Sequence, residues 1–512
     1  MKRNNILMKR EIGQVFTPEE IVRYILDNSF FTIAYLSSKS SQELINLKIA
    51  DISVGEGIFL LEVYKRLYSV LKERKDAHSI ISKEGYSDIR KWIIEKNLYG
   101  IDIDSEALST AKENLKKEAG IESLNFNLIE GNTLLNYTKE KNKEFIFNIK
   151  FDYLFGNPPY SKNIKSEEKK KYFYLYKESI GGHPNLCALF LHKSIDMLAK
   201  NGILGYLVAA PYINAYYHRN LRKMIADKTT IIEVLRFEDR KKVIDGILQE
   251  LSIIIFSKQK PKQDYLLNVA VTNDLKSLVN KNIHKTQINF SKFYHNGDYA
   301  HEFLIAKSQI DYNIKDKMKS KGKPLSKFSA IHTGEVVQFR NKHQLTNISK
   351  EGSYPLIKIE NVNSFKVSKK YDSWFKPKKG MQYTHSGGLI LVKRLTSKEQ
   401  PKRIIASFFE EKRFAVDNKL NLLKPYDSKY LISIMGLLNS KLIDYYFRLY
   451  SSNTQVSANE LRSIPIIVDE NIQKIVEDIQ EGKKSLEELD NHVFNIYDLS
   501  KEEVNHVLDF YK

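Results

Sequence analysis

The sequence predicts an α/β fold followed by an α+β region, and three observations carry this. Residues 13–258 alternate short apolar runs with longer helical patterns, as an open sheet with crossover helices requires. Three successive predicted strands end in residues suited to a nucleoside ligand. From 325 to about 468 the texture changes to short strands, turns and many aromatics.

Predicted strands of the first region lie at 48–52, 98–103, 125–130, 153–156, 204–209, 230–236 and 251–257. Helical periodicity runs over 21–31, 58–73 and 106–118. Breaks at 258–263, which carries Pro261, and at 319–324, where Lys, Gly and Pro cluster, separate the regions. Two helices are expected near the end, at 430–449 and 471–489. The division is therefore 1–258, a connecting segment 259–324, a domain 325–468, and an acidic helical tail 469–512.

The 512 residues hold 81 Lys+Arg against 62 Asp+Glu, a net charge of +19. The excess is local. Residues 1–250 carry +6 and 469–512 carry −7, so 251–468 carries +20, as expected of a domain that lies on phosphates. One cysteine, Cys187, excludes a disulfide framework and multi-cysteine zinc or iron–sulfur sites; no metal site is expected. No apolar run approaches the roughly 18 residues that span a bilayer, so a cytoplasmic protein without membrane attachment is expected.

Asp51-Ile52-Ser53-Val54-Gly55-Glu56-Gly57 follows the first strand and opens a helix. Glycines there let backbone N–H groups approach a ligand, and the helix N-terminus favours anionic groups. Such glycines also serve turns for steric reasons, and Leu60 stands where a dinucleotide loop has its third glycine. Asp102, within Gly100-Ile101-Asp102-Ile103-Asp104, ends the next strand, placed to accept from a ribose diol. Asn132, followed by Thr133, ends a third, where its amide suits an adenine edge. Upstream, Thr17 reads as an N-cap with Pro18 at the first helical position and Glu20 completing a capping box.

Phe155-Gly156-Asn157-Pro158-Pro159-Tyr160 is the most informative stretch. Each proline fixes φ and removes a donor, leaving a rigid segment rich in acceptors. The Asn157 side-chain oxygen and the Pro158 carbonyl can both accept from one NH2 group, and Tyr160 can stack on the ring that bears it. The bland alternative is a Pro-rich turn.

These motifs, in this order, resemble the gamma-class DNA adenine-N6 methyltransferases of restriction–modification systems, which use S-adenosylmethionine. Phe16-Thr17-Pro18 is similar to their N-terminal cofactor motif and Asp51–Gly57 to their glycine loop. Asp102 matches the acidic ribose ligand, and Asn157-Pro158-Pro159-Tyr160 is identical to their catalytic tetrapeptide. The resemblance implies a Rossmann-like methyltransferase sheet followed by a target-recognition domain. It implies cofactor contacts from Phe16, Thr17, Pro18, Asp51, Val54, Gly55, Gly57, Asp102, Ile103, Asn132 and Thr133. It also implies that a flipped adenine in double-stranded DNA enters a pocket closed by Tyr160 and Ile247, the latter standing where part of the family has phenylalanine. Departures are Ile52, Ser53 and Glu56 in the glycine loop and Asn132 for a common Asp.

Base-reading candidates in the basic domain are Gln338, Arg340, Asn341, Lys393 and Arg394, in or beside predicted turns. A cognate restriction endonuclease or defence-system subunit is the further partner implied. Two other readings stay open: methyl transfer to protein glutamine or RNA, whose enzymes share the tetrapeptide, and a decayed methyltransferase acting as a DNA-binding specificity module.

Overall fold

The computed structural model describes residues 17–512 except 161–163, 165, 183–184, 240–242, 245–248, 262, 297–300, 379, 398–399 and 452–454. Phe16 and Ile247 of the expected site lie outside the described residues. The chain forms two compact units. One comprises the described residues up to His295 with His301–Lys307, the other Asn296 with the described residues of Ser308–Lys512.

The first unit is built on ten strands: β1 (Ile49–Asp51), β2 (Leu98–Asp102), β3 (Asn127–Asn132), β4 (Tyr137–Thr138), β5 (Phe151–Gly156), β6 (Leu198–Ala209), β7 (Thr230–Phe237), β8 (Leu251–Ser257), β9 (Leu266–Thr272) and β10 (His284–Asn289). Their order is β10-β9-β7-β8-β6-β5-β1-β2-β3-β4. Strands β3, β2, β1, β5 and β6 run parallel, and β8 is antiparallel between β6 and β7. The central strands are buried on both faces, as in β5, Phe-Asp-Tyr-Leu-Phe-Gly, with five of its six residues buried, because helices cover both sides of a parallel sheet.

Helices α1 (Glu19–Asn28), α2 (Ile58–Leu71) and α3 (Ser105–Ala119) share one core. Ile21, Val22, Ile25 and Leu26 of α1 meet Phe59, Leu60, Val63 and Leu67 of α2 and Leu108, Ala111 and Leu115 of α3. Each large aliphatic side chain so buried contributes about 1.5–3 kcal/mol. Chain order reverses between β2-β1 and β1-β5, so a crevice opens at the carboxyl ends of β1 and β5, where open α/β sheets take ligands.

The expected connector 259–324 is largely structured. Strands β9 and β10 extend the sheet, and Gln309–Lys321 is a helix with a Ser308–Asp311 capping box. β10, His-Lys-Thr-Gln-Ile-Asn, buries only Ile288, so this edge strand shows almost no apolar pattern.

The second unit holds a seven-stranded sheet in the order Ser329–Thr333, Leu420–Pro425, His385–Lys393, Ala406–Val416, Tyr354–Ile357, Trp374–Phe375, Leu345–Thr346. The helix expected at 430–449 is two, Leu431–Leu438 and Lys441–Tyr450, because Ser440 caps the second by accepting from the Ile443 N–H. After the short helix Ala458–Ser463, three helices form the acidic tail, Glu470–Gln480, Leu486–Ile496 and Lys501–Asp509. Their acidic residues have structural work. Glu488 and Glu503 close capping boxes, Asp490 accepts from the Lys441 N–H at 2.7 Å, and Glu503 pairs with Lys317 at 2.7 Å. No helix among the described residues is long and apolar enough to cross a membrane.

Candidate active site

Asp51 ends β1 and is 2% exposed. Its Oδ1 accepts from the Ser53 N–H at 2.9 Å, closing the turn into the glycine loop. Burial pushes its carboxyl up to about 8, and the nearby Asp102 charge adds to the rise. Gly55 and Gly57 adopt φ of +52° and +84°, the region that L side chains avoid. A Cβ on Gly57 would lie 2.8 Å from Cβ of Ala111, so this glycine lets α3 pack on the loop. A Cβ on Gly55 would meet nothing within 4 Å; the loop faces open space there.

Asp102 ends β2. Its Oδ2 accepts from the Gly55 N–H at 2.8 Å and its Oδ1 from the Asp104 N–H at 3.0 Å. Burial raises its pKa and these N–H groups oppose the rise. Each oxygen keeps a lone pair for a further donor. Ile103 beside it is 62% exposed, an apolar face at the crevice. Val54 is buried, its N–H bonded to the Ile101 carbonyl at 3.1 Å. Glu56 is exposed.

At the end of β3, Asn132 caps a short turn, its Oδ1 accepting from the Leu135 N–H at 3.2 Å, and it also hydrogen-bonds the Tyr172 hydroxyl. Thr133 is buried and donates to the Ile52 carbonyl at 2.8 Å, tying the ends of β3 and β1 together. Tyr172 was not expected from sequence, nor was Tyr176, whose hydroxyl donates to the Leu134 carbonyl at 2.7 Å, nor Lys193, which donates to Asn136 Oδ1 at 2.6 Å. The available signal was the i, i+4 spacing of the two tyrosines, which puts both on one helical face.

The tetrapeptide leaves the end of β5. A Cβ on Gly156 would lie 2.7 Å from Oδ1 of Asp51, so glycine is what lets this strand end lie against the first loop. Asn157 donates its side-chain NH2 to Oγ1 of Thr17 at 3.0 Å. Thr17 is therefore not the helix cap read from sequence. The cap position is Pro18, without a side-chain hydrogen bond, and the hydroxyl serves Asn157 instead. Tyr160 is 4% exposed, and its hydroxyl donates to Asn157 Oδ1. The ring that sequence reading set against a base is covered here. Burial pushes the Cys187 thiol up to about 12, leaving it protonated and unreactive. Among the described residues no group of three or more His, Cys, Asp or Glu is arranged to hold a metal ion.

The first-unit candidates that are described thus gather at the carboxyl ends of β1, β2, β3 and β5, with Thr17 and Pro18 at the start of α1. A cavity of about 400 Å³ beside Tyr35, Lys39, Asp152 and Lys200 shares no residue with this group.

The second-unit candidates separate into held and presented side chains. Asn341 is 9% exposed; its Oδ1 accepts from the Val337 N–H at 3.1 Å and its NH2 donates to Gln344 at 3.0 Å. It shapes a loop and is not placed to read a base, which corrects the expectation. Gln338 donates to Asp417. Arg394 donates to the Asn418 carbonyl at 3.0 Å, and Lys393 is half-buried at the end of its strand. Arg340 is exposed, its guanidinium 5.4 Å from the ring of Phe339, which is itself 77% exposed.

Residues 96–243, which include Asp102, Asn132 and the tetrapeptide, match the Eco57I restriction-modification methylase family. The chain is 26% identical over 495 residues to the type II methyltransferase M.BsuBI of Bacillus subtilis, covering 89% of this chain and 87% of that protein. It is 26% identical over 377 residues to the type II methyltransferase M.PstI of Providencia stuartii, covering 68% and 69%. Among solved structures it resembles the type IIL restriction-modification enzyme MmeI, determined in complex with DNA, at TM-score 0.57 and 13% identity, over 99% of this chain and 77% of that one.

Proposed function

Starting from a chain that belongs to the methyltransferases of restriction–modification systems, we propose that it methylates the N6 amine of adenine in duplex DNA with S-adenosylmethionine as donor. The observation that carries the adenine-amine reading is the Asn157-Pro158-Pro159-Tyr160 segment at the end of β5, packed against the Asp51 loop through Gly156. Tandem prolines and an oriented amide make a pocket for a planar amine.

The residues present fit the donor. Asp102 offers paired carboxylate oxygens for a ribose diol, Ile103 an exposed apolar face for a purine, and Asn132 an amide for its edge. The Gly55 turn leaves open space for backbone approach. The Asp51 carboxylate, once ionised, complements a cationic amino-acid group. When bound, S-adenosylmethionine supplies an electrophilic methyl carbon on a sulfonium leaving group.

The chain's own task is alignment. An adenine amine is a weak nucleophile because its lone pair is delocalised into the ring. Asn157 Oδ1 and the Pro158 carbonyl accept hydrogen bonds from its two N–H groups and draw the nitrogen towards tetrahedral geometry, freeing that pair. Since the Asn157 NH2 is held by Thr17, its oxygen is the end presented to substrate. The Tyr160 hydroxyl occupies one lone pair of that oxygen and leaves the other. As the N–C bond forms, the surplus proton passes to water. Flipping the base out of the duplex costs a few kcal/mol, which phosphate contacts from the basic 251–468 stretch offset. Residues 1–258 would form the catalytic domain and 325–468 the target-recognition domain.

The test is incubation with methyl-tritiated S-adenosylmethionine and unmodified plasmid DNA, followed by nucleoside analysis. Label in N6-methyl-2′-deoxyadenosine supports the reading. Label in cytosine, RNA or protein refutes it.

A further inference from the structure

The helix that follows the tetrapeptide, Ser166–Leu175, presents a face that catalysis as described does not use. Tyr172 and Tyr176 anchor it. They are 2% and 4% exposed, and their hydroxyls reach Asn132 and the Leu134 carbonyl at the end of β3. With residues 172 and 176 turned inward, the 3.6-residue period turns Lys170, Lys171, Phe173, Tyr174 and Lys177 outward. All five are exposed, as is Lys169 on the flank beside Tyr172. Tyr174 is 80% exposed and Phe173 44%. None of Lys169, Lys170, Lys171 and Lys177 has an ion-pair partner among the described residues, whereas Lys223, Lys228 and Lys139 of the same unit do.

Unpaired lysines one turn from exposed aromatic rings, on a helix clamped beside the strand ends that hold the site, complement a polyanion whose bases stack. We propose that this face is a second DNA contact, within the catalytic unit, gripping the duplex backbone next to the flipped adenine. Lys169, Lys170 and Lys171 neutralise phosphates, and Tyr174 packs against bases left unstacked. The proposal rests on the DNA-methylating reading above. It goes beyond the overall basic charge, because residues 1–250 carry little net excess.

Two variants of the full chain test it: Lys169→Gln/Lys170→Gln/Lys171→Gln and Tyr174→Ala. The probes are a fluorescein-labelled 30-base-pair duplex, titrated by anisotropy at several salt concentrations, and tritium transfer to plasmid DNA. The triple variant is expected to bind the duplex about tenfold more weakly at moderate salt, with the salt slope reduced by roughly one for each phosphate left without its lysine. Tyr174→Ala should keep duplex affinity within about threefold while transfer slows about tenfold. S-adenosylmethionine affinity by calorimetry should be unchanged in both. Unaltered duplex affinity and salt slope in the triple variant would overturn the proposal and leave the adenine reading standing, pointing to a protein partner for this face. A parallel loss of cofactor affinity would also overturn it, because the helix would then merely brace β3. Wild-type protein that methylates no DNA would instead refute the reading on which the proposal rests.

Discussion

The side-chain NH2 of Asn157 donates to Oγ1 of Thr17 at 3.0 Å, across 140 residues of sequence. This bond joins the start of α1 to the end of β5 and fixes which end of the amide faces the crevice. A free Asn amide can turn over; this one is held by its nitrogen, so its oxygen is the acceptor.

Thr17 should therefore behave as a positioning residue. Thr17→Val is expected to lower the transfer rate by about tenfold to a hundredfold, with Thr17→Ser restoring most of it, because serine keeps the acceptor. Asn157→Ala and Pro158→Gly should abolish transfer while calorimetric cofactor affinity largely survives. Near-normal turnover by Asn157→Ala would remove the acceptor mechanism.

Asp102 makes a different prediction, because it holds the Gly55 loop and the proposed ribose site at once. Asp102→Ala loses charged hydrogen bonds worth about 1.5–3 kcal/mol each. It should weaken S-adenosylmethionine binding by roughly tenfold to a hundredfold, while duplex affinity by anisotropy stays within about twofold. Unchanged cofactor affinity would place the ribose elsewhere.

Asp51 predicts a pH dependence. In the unfolded chain its carboxyl ionises near 3.8, whereas in the fold it keeps its proton to about 8. Between those values the folded chain binds more protons than the unfolded one, so the stability this group contributes falls as pH rises. Asp51→Asn removes that dependence and keeps an oxygen for the Ser53 N–H. Its Tm relative to wild type should rise from pH 5 to pH 8, by roughly 2–4 °C for each kcal/mol recovered. Cofactor affinity should fall at pH 8, where wild type gains a carboxylate. A Tm difference that is the same at pH 5 and pH 8 would mean that Asp51 is already ionised in the fold.

How far the sequence could be read depended on whether a segment's partner was local. Strand β8 spans the expected residues 251–257, because a run buried on both faces needs no context to be recognised. The Asp51, Asp102 and Asn132 strand ends were found for a related reason, since each polar residue interrupts an apolar run at a turn. Edge strand β10 was missed because its alternation is almost wholly polar. The 430–449 stretch reads as one helix because its apolar stripe continues on both sides of Asn439-Ser440, and only the Ser440 cap divides it. Thr17 was misread because Thr-Pro-Glu-Glu satisfies a capping box as well as it satisfies Asn157. Only a tertiary partner decides between those two uses. Tyr172, Tyr176 and Lys193 contact β3 and its turn from a distant stretch of chain, which local pattern does not encode. Asn341 carried the side-chain chemistry of a base reader, and only burial assigned it to its loop.

The last prediction concerns where the DNA sequence is chosen. Residues 251–468 carry +20, and the loop at 337–344 is rigid at its base through Asn341 and Gln344 while Phe339 and Arg340 project from it. A preorganised loop that offers one guanidinium and one ring is suited to a base edge, because little side-chain freedom is given up on binding. Arg340→Ala should relax specificity at one or two positions of the methylated sequence, a loss of about 1–3 kcal/mol of discrimination, with little change in affinity for an unrelated duplex. Asn341→Ala should instead lower loop stability, which limited proteolysis would report. Gln338 and Arg394 are tied to the protein, through Asp417 and the Asn418 carbonyl, so their alanine variants should alter specificity less than Arg340→Ala. Exchanging 325–468 for the matching segment of a relative, then mapping methylated adenines by sequencing, tests the whole assignment. An active chimera that still modifies the original sequence would place recognition outside 325–468. Binding that did not weaken with salt would remove the phosphate argument even if the exchange switched specificity.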